Sequence, residues 1–282
     1  MIKNNVNKVH FLVGKDFKKK KILEPFNKDV CNFLIDLSSE LNKTKNPDIK
    51  ALAFWCRKSN IIRLKNLYKF NEIRLGLGLI FHITPSNIPT NFAYSLIFGL
   101  ITGNSNLVKV PSTKFDEVDI ICNSIKKILK KYTQLKNMIS IVRYKDNDDF
   151  TKKISLSCNA RLIWGGDNSI SNIRNFSLDQ RALDLTFADR YSFCAIDLNS
   201  IKKIKNYDIK RIVEKFYNDT YVVDQNACSS PHLVIWLGKK NKKLISKFWY
   251  ELNKLVGSKY DYNESSSMEK FTQLCNDILK YN

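Results

Sequence analysis

One cysteine in a polar loop, Asp224-Gln225-Asn226-Ala227-Cys228-Ser229-Ser230-Pro231, is the residue whose type and setting best suit nucleophilic chemistry. A thiolate is the strong nucleophile among side chains near neutral pH, and small neighbours on both sides leave its sulfur reachable. Six other cysteines show how readily such a residue arises by chance, so the loop alone does not establish catalysis. A second polar segment, His82-Ile83-Thr84-Pro85-Ser86-Asn87-Ile88-Pro89-Thr90, lies between an apolar strand and an apolar helix. Ligands of open α/β sheets bind at the carboxyl ends of strands, so a proline-stiffened turn there is placed to touch one. Asn and Pro are also ordinary turn residues, and taken alone the turn needs no ligand. A third candidate is Lys109, delivered to the end of a short strand after Gly103, which suits a left-handed helix terminus. It can meet a ribose or phosphate, or be one of many surface lysines. His82, at the end of an apolar strand, is a base for the thiol or, more commonly for such a position, a packed structural residue. His232, four residues past Cys228, can serve or merely pack.

The elements that must position these residues follow from hydrophobic spacing. Apolar residues at Phe26, Val30, Phe33, Leu34, Leu37 and Leu41 form one stripe of an amphipathic helix. Pro47 and Asp48 open a second helix running through Leu52 to Trp55, with proline in its first turn. Between Asn71 and Asp197 short apolar runs alternate with amphipathic stretches. The strands predicted are Gly78 to Ile83, Asn106 to Val110, Met138 to Val142, Arg161 to Trp164 and Ser192 to Ile196. The helices are Asn91 to Thr102, Phe115 to Tyr132 and Asn168 to Phe176. Such alternation predicts a parallel sheet covered on both sides. A Lys-rich link with Lys202, Lys203 and Lys205 then leads to a helix from Asp208 to about Tyr221, a loop from Val223 to Pro231, a strand from His232 to Leu237 and two more helical stretches.

Composition excludes several classes. Of the 282 residues 44% are hydrophobic and 26% charged, as in globular proteins, so general disorder is excluded. The net charge of +20 favours polyanions, but lysines spread along the chain argue against a nucleic-acid stripe, and Lys18 to Lys21 read as a solvated run. No specific nucleic acid is therefore expected. Seven cysteines without any C-x-x-C pair predict reduced thiols in the cytoplasm rather than a disulfide framework, and no metal site. The polar, Asn-rich start lacks a secretory apolar stretch. The most apolar segment, Leu75 to Thr102, is interrupted by polar and proline residues too often to span a membrane.

The three segments occur together, in one order and spacing, and in that combination they resemble the aldehyde dehydrogenase superfamily. The wording HITPSNIPTNFAYSLIFGLITGNSNLVKVPS, then RLIWGGDNSI and DQNACSSP, resembles more closely the LuxC-type long-chain acyl-CoA reductases, over roughly Gly76 to Leu237. The resemblance implies an aldehyde-dehydrogenase-like α/β fold. It comprises a helical segment over 1–69, a Rossmann-type parallel-sheet dinucleotide domain over 70–197, and over 198–282 the start of a second α/β domain that carries the cysteine loop. It implies an acyl-CoA reductase in which Cys228 accepts the acyl group from a CoA or protein thioester and NADPH hydride releases a fatty aldehyde. Carried over by residue, Asn87 supplies an oxyanion-hole amide and Lys109 contacts the adenosine ribose. Gly165 and Gly166 form the turn approached by the pyrophosphate. Pro85 and Ser112 complete the cofactor side.

Two departures bear on chemistry. Around Phe187 the chain lacks the glutamate with which aldehyde-oxidising members activate water. After Lys109, where NAD-preferring relatives carry a carboxylate, stand Ser112, Thr113 and Lys114, which leans the cofactor to NADP. Only residues 229–282 follow Cys228, whereas the resembled enzymes continue much further. The resemblance thus implies a fragment, a frameshifted product or a carboxyl-terminal half provided by another polypeptide, and leaves a homo-oligomer open. The alternative is a partial or inactive protein that keeps dinucleotide binding only.

Overall fold

The computed structural model describes residues 9–15, 21–69, 71–145, 147–202, 206–222, 224–225, 227–261 and 264–281. Lys18 to Lys20 of the basic run, Lys203 and Lys205 of the Lys-rich link, and Val223 and Asn226 of the cysteine loop lie outside the described residues. The chain divides into two compact units, Met1–Asp189 and Arg190–Asn282.

The first unit is built on a six-stranded sheet of β1 (His10–Val13), β2 (Leu79–Ile83), β3 (Ser105–Val110), β4 (Ile139–Arg143), β5 (Ala160–Gly165) and β6 (Leu183–Ala188), in the order β1-β4-β3-β2-β5-β6. All neighbours are parallel except β1, which pairs antiparallel with β4. The unit's helices are α1 (Lys28–Leu41), α2 (Pro47–Trp55), α3 (Lys58–Leu67), α4 (Asn91–Ile101), α5 (Asp116–Leu129), α6 (Asp148–Ser157) and α7 (Asp167–Arg174). One side of the sheet packs on α1, α4 and α5 through Val30, Phe33, Leu96, Val118, Ile121, Ile125 and their neighbours. The other side, with Phe81, Ile83, Leu107, Val142 and Ile163, packs on α6 and α7 through Ile154 and Ile170.

Local chemistry explains the helix starts. The Asn27 side chain accepts from the Asp29 N–H before α1, and Asn46 accepts from Asp48 and Ile49 before α2, where Pro47 occupies the first turn. In α5, acidic Asp116, Glu117 and Asp119 at the start and Lys126 and Lys127 at the end suit the helix dipole. Phe115 and Tyr132 flank this helix rather than belong to it, and the Tyr132 hydroxyl donates to Asp36 at 3.2 Å. Gly103 has φ +82°, and a Cβ there would stand 2.1 Å from the Leu23 carbonyl oxygen. Only glycine satisfies both constraints at the end of α4.

Two expectations about the sheet need correcting, and the division of the chain can be compared with the one expected. The helices of the segment over 1–69, α1 to α3, share one apolar core with α4 and α5. The two compact units divide between Asp189 and Arg190, where the expected boundary was at 197. The strand from Ser192 belongs to a separate sheet, since the neighbour of β5 is β6, which the spacing had not marked as a strand. Cover on both sides also fails at that edge, where Leu183, Leu185 and Phe187 of β6 are 49%, 47% and 42% exposed.

The second unit contains β7 (Ser192–Asp197), α8 (Leu198–Lys202), α9 (Asn206–Thr220), β8 (Pro231–Leu237), α10 (Lys242–Lys259) and α11 (Glu264–Tyr281). β7 and β8 form a two-stranded parallel sheet. Its Cys194, Ile196, Val234 and Trp236 pack with Val213 and Phe216 of α9 and with Phe248 and Leu252 of α10.

Candidate functional site

Strand order reverses at β2. β3 and β4 lie on one side of it, β5 and β6 on the other, so the carboxyl ends of β2 and β5 flank a topological switch point, where open α/β sheets bind ligands. Ile83 is registered with Lys109 on β3 and with Ile163 on β5. The turns after three adjacent strands therefore share one edge. Thr84 ties the first turn to β3: its N–H and its hydroxyl both donate to the Lys109 carbonyl, at 3.2 and 2.8 Å. Pro85 is half-buried beyond it, Asn87 is exposed, and α4 begins at Asn91. Lys109 is half-buried and Ser112 is exposed. Gly165 ends β5, and Gly166 precedes α7, whose first turn receives no side-chain cap. Nothing lies within 4 Å of where a Gly166 Cβ would stand. That open backbone at a helix start fits the approach of a phosphate, although Asp167 adds a negative charge to the same turn.

Behind this edge runs a buried polar chain that the sequence reading missed. The Asn106 amide nitrogen donates to the Asn104 carbonyl at 2.7 Å, which leaves its oxygen to accept from His82 Nε2 at 2.9 Å. His82 Nδ1 then accepts from Ser95 Oγ at 2.7 Å, and Ser95 Oγ accepts from Trp164 Nε1 at 3.2 Å. With Nε2 donating to Asn106, a neutral ring leaves Nδ1 to accept from Ser95. Burial pushes its pKa down from 6.5 to about 4. His82 is fully buried and committed on both nitrogens, so it is structural and no base for a thiol. No residue spacing could have announced this, since the partners come from β2, β3, α4 and β5.

At the end of β6, Phe187 stacks on Trp164, with centroids 4.0 Å apart and planes at 12°. The carboxylate of that strand, Asp184, is held by the Arg161 guanidinium at 2.9 and 3.1 Å. Arg161 is 1% exposed and also donates to Ser155 Oγ and to the carbonyls of Ile173 and Phe176. Neither Phe187 nor this occupied Asp184 is equipped to activate water.

The second unit carries the cysteine loop. None of the seven cysteines is in a disulfide, and all seven are described; among them Cys228 alone is exposed. Burial pushes the Cys56 and Cys122 thiols up to about 12 and raises those of Cys31 and Cys194. The loop around Cys228 is anchored by named bonds. Asp224 and Gln225 take left-handed conformations, φ 49° and 59°, uncommon for residues with a Cβ. The Gln225 side chain donates to the Pro231 carbonyl at 2.8 Å, Tyr260 OH donates to Asp224 at 2.8 Å, and Ser230 Oγ donates to the Asp219 carbonyl at 2.6 Å. The Cys228 carbonyl accepts from Ser192 Oγ at 2.6 Å. His232 is exposed and stacks on Tyr191 with centroids 5.2 Å apart. A cavity of about 560 Å³ lies under the loop, lined by Gln225, Tyr221, Leu233, Trp249 and Tyr260 among others.

Asn87, Pro85, Lys109, Ser112, Gly165 and Gly166 thus lie in the first unit, all but Asn87 being the cofactor-side candidates, and Cys228 lies in the second. Among the described residues no group of three or more His, Cys, Asp or Glu side chains is arranged to hold a metal ion, and no helix is long and apolar enough to cross a membrane.

Comparison with known proteins places this geometry in a family. A long-chain acyl-protein thioester reductase of Photorhabdus luminescens is 22% identical over 207 residues, covering 70% of this chain and 41% of that protein. Among solved structures, an oxidoreductase from Marinobacter aquaeolei superposes with a TM-score of 0.60 at 12% identity, over 84% of this chain and 53% of the other. An indole-3-acetaldehyde dehydrogenase in complex with NAD+ gives 0.60 at 12% identity, over 82% and 50%. The chain spans about half the length of these structures, and at such identities they show the fold alone: an aldehyde-dehydrogenase-like α/β architecture. The family described as acyl-CoA reductase (LuxC) matches residues 50–259, three quarters of the sequence, and the chain belongs to that family.

Proposed function

We propose that this chain binds NADPH on its first unit and accepts an acyl group on Cys228, as part of a reductase converting an acyl thioester to a fatty aldehyde. The observation that carries the reading is the contrast among seven thiols. One is exposed, on an anchored loop in a LuxC-family chain, while the others are wholly or partly buried. Cys228 Sγ, as thiolate, attacks the carbonyl carbon of the donor thioester. The donor's own thiolate leaves, and the acyl group remains on Cys228 as a new thioester. NADPH, when bound, supplies the hydride that turns this acyl group into an aldehyde and returns the Cys228 thiolate. The donor is acyl-CoA or an acyl-protein; the named Photorhabdus relative acts on the latter.

The residues of the first unit suit the cofactor. Gly166 and the uncapped start of α7 leave backbone open for the pyrophosphate, Lys109 ends β3 on the other side of β2 for the adenosine ribose, and Pro85 shapes the turn after β2 between them. Ser112 is exposed and carries no negative charge against a 2'-phosphate, which supports NADP over NAD. Where aldehyde-oxidising relatives carry the water-activating glutamate this chain has Phe187, and Asp184 of the same strand is held by Arg161, which supports reduction over hydrolysis. The oxyanion donors that the resemblance implies are the Asn87 amide of the first unit and the Cys228 N–H of the second.

Incubation with radiolabelled acyl-CoA tests the proposal. We expect label on the wild-type protein that hydroxylamine removes, and none on Cys228→Ala. Asn87→Ala is expected to fold and to acylate about 100- to 1,000-fold more slowly. Label persisting on Cys228→Ala refutes the nucleophile.

A further inference from the structure

Side chains alternate along β3, so Lys109 leaves the sheet with Leu107, on the side packed against α6 and α7, and not with Val108 and Val110. On that side its Nζ stands 5.0 Å from the centroid of the Tyr144 ring. Tyr144 follows β4, the strand next to β3, and is 4% exposed. Its ring is fixed from the first turn of α6. Thr151 Oγ1 donates to the Asn147 carbonyl at 3.0 Å, so the Tyr144 hydroxyl, 2.9 Å away, is the donor to Thr151. Phe150 packs edge-on against the same ring with centroids 5.1 Å apart.

A lysine ammonium is a point charge on a flexible four-carbon stem, and ordering that stem opposes binding. An aromatic face attracts the ammonium through its ring quadrupole and leaves the positive charge undiminished, whereas a carboxylate would neutralise it. We propose that Tyr144 is a positioning residue for dinucleotide binding, its ring holding the Lys109 ammonium toward the adenosine half of the cofactor. The inference rests on the assignment of Lys109 to the cofactor made above. It makes the start of α6 part of the binding apparatus, through Thr151 and Phe150, although neither touches the ligand.

Three probes separate the halves of the cofactor: NADPH, 2',5'-ADP, which carries only the adenosine end, and NMNH, which lacks it. Binding is read by fluorescence titration. Tyr144→Leu is expected to weaken NADPH and 2',5'-ADP about three- to thirty-fold and to leave NMNH unchanged. Tyr144→Phe keeps the ring face and loses only the tether to Thr151, so it is expected to weaken binding less than Tyr144→Leu. In a Lys109→Met background Tyr144→Leu should add no further loss. Phenylalanines of increasing fluorination at residue 144 drain the ring face at nearly constant size, and affinity for 2',5'-ADP should fall along that series. This series decides the matter if Tyr144→Leu does not fold. A flat response to fluorination, or an equal loss from Tyr144→Leu with and without Lys109, overturns the inference while leaving the Lys109 assignment intact. Undiminished NADPH binding by Lys109→Met overturns both.

Discussion

The buried His82 makes a quantitative demand on stability. Full burial keeps its ring neutral in the fold, and with Nε2 donating to Asn106 the Nδ1 atom accepts from Ser95. Burial lowers its pKa from 6.5 to about 4. Above the unfolded value neither state binds the proton, and the histidine contributes no pH dependence. As the pH falls from 6.5 toward 4 the unfolded chain takes up a proton that the native chain refuses, so stability declines. The slope approaches about 1.4 kcal/mol per pH unit and the total loss is about 3 kcal/mol, saturating below the folded value where both states are protonated. Ser95, Asn106, Gly99 and Trp164 around the ring do not titrate in this window, so the effect belongs to His82 itself. Carboxylates elsewhere titrate at its lower end, and a matched variant removes their contribution. Urea unfolding of wild type and His82→Gln, followed by circular dichroism across this window, gives the comparison, with amide exchange on β2 assigning the transition to the first unit. His82→Gln should be less stable at neutral pH and lose stability more gently on acidification. Identical pH dependence in the two proteins would refute the neutral, doubly bonded imidazole.

Two further substitutions test the packing behind the site. Gly99 of α4 leaves no room for a methyl, since a Cβ would lie 1.9 Å from Asn106 Oδ1 and 3.2 Å from His82 Nε2. Gly99→Ala gains about 1 kcal/mol of helix propensity but strands buried polar groups worth about 1–3 kcal/mol each, so urea unfolding should show a net loss of about 2–4 kcal/mol; a stabilised variant would contradict this. Asp184→Asn leaves the Arg161 guanidinium, at 1% exposure, without its carboxylate and should cost about 3–5 kcal/mol, with little dependence on added salt because the pair is shielded from solvent. A loss that salt screens away would show the pair to be a surface one.

The legible parts of the fold were those where burial imposes a period. α1 and α5 are apolar on one stripe, α2 opens on Pro47, α4 is apolar nearly all round, and β2 to β5 are short apolar runs with turns between them, so each was expected close to where it stands. β6 escaped because it is an edge strand with an exposed apolar face and Asp184 on the other, unlike the continuous apolar run of an interior parallel strand. β1 is four residues long in an Asn-rich start, too short to show a period. α6 buries only Thr151, Ile154 and Ser155, which read as a polar loop until the Asn147 cap is seen. On the site, the carboxyl-end turns were legible because strand-to-helix transitions locate them. Tyr144 beside Lys109 was not, because the two meet across strands 35 positions apart and only register brings them together.

The polar chain behind the switch point explains why these turns keep their places. Apolar contacts between strands are nearly indifferent to small slides along the strand direction, whereas hydrogen bonds have donors and acceptors that must meet. Trp164 of β5, His82 of β2 and Asn106 of β3 are joined through Ser95 of α4, and the Asn104 side chain at the start of β3 accepts from the N–H groups of Leu77 and Gly78 before β2, at 2.6 and 3.2 Å. Sliding β5, β2 or β3 by a residue would turn Trp164, His82 or Asn106, respectively, to the opposite face and leave buried polar groups unpaired. The strands whose ends carry Pro85, Lys109 and Gly165 are therefore locked in mutual register by residues that never meet a ligand. Sequence drift that preserves hydrophobicity but breaks this chain would move the site before it unfolded the protein.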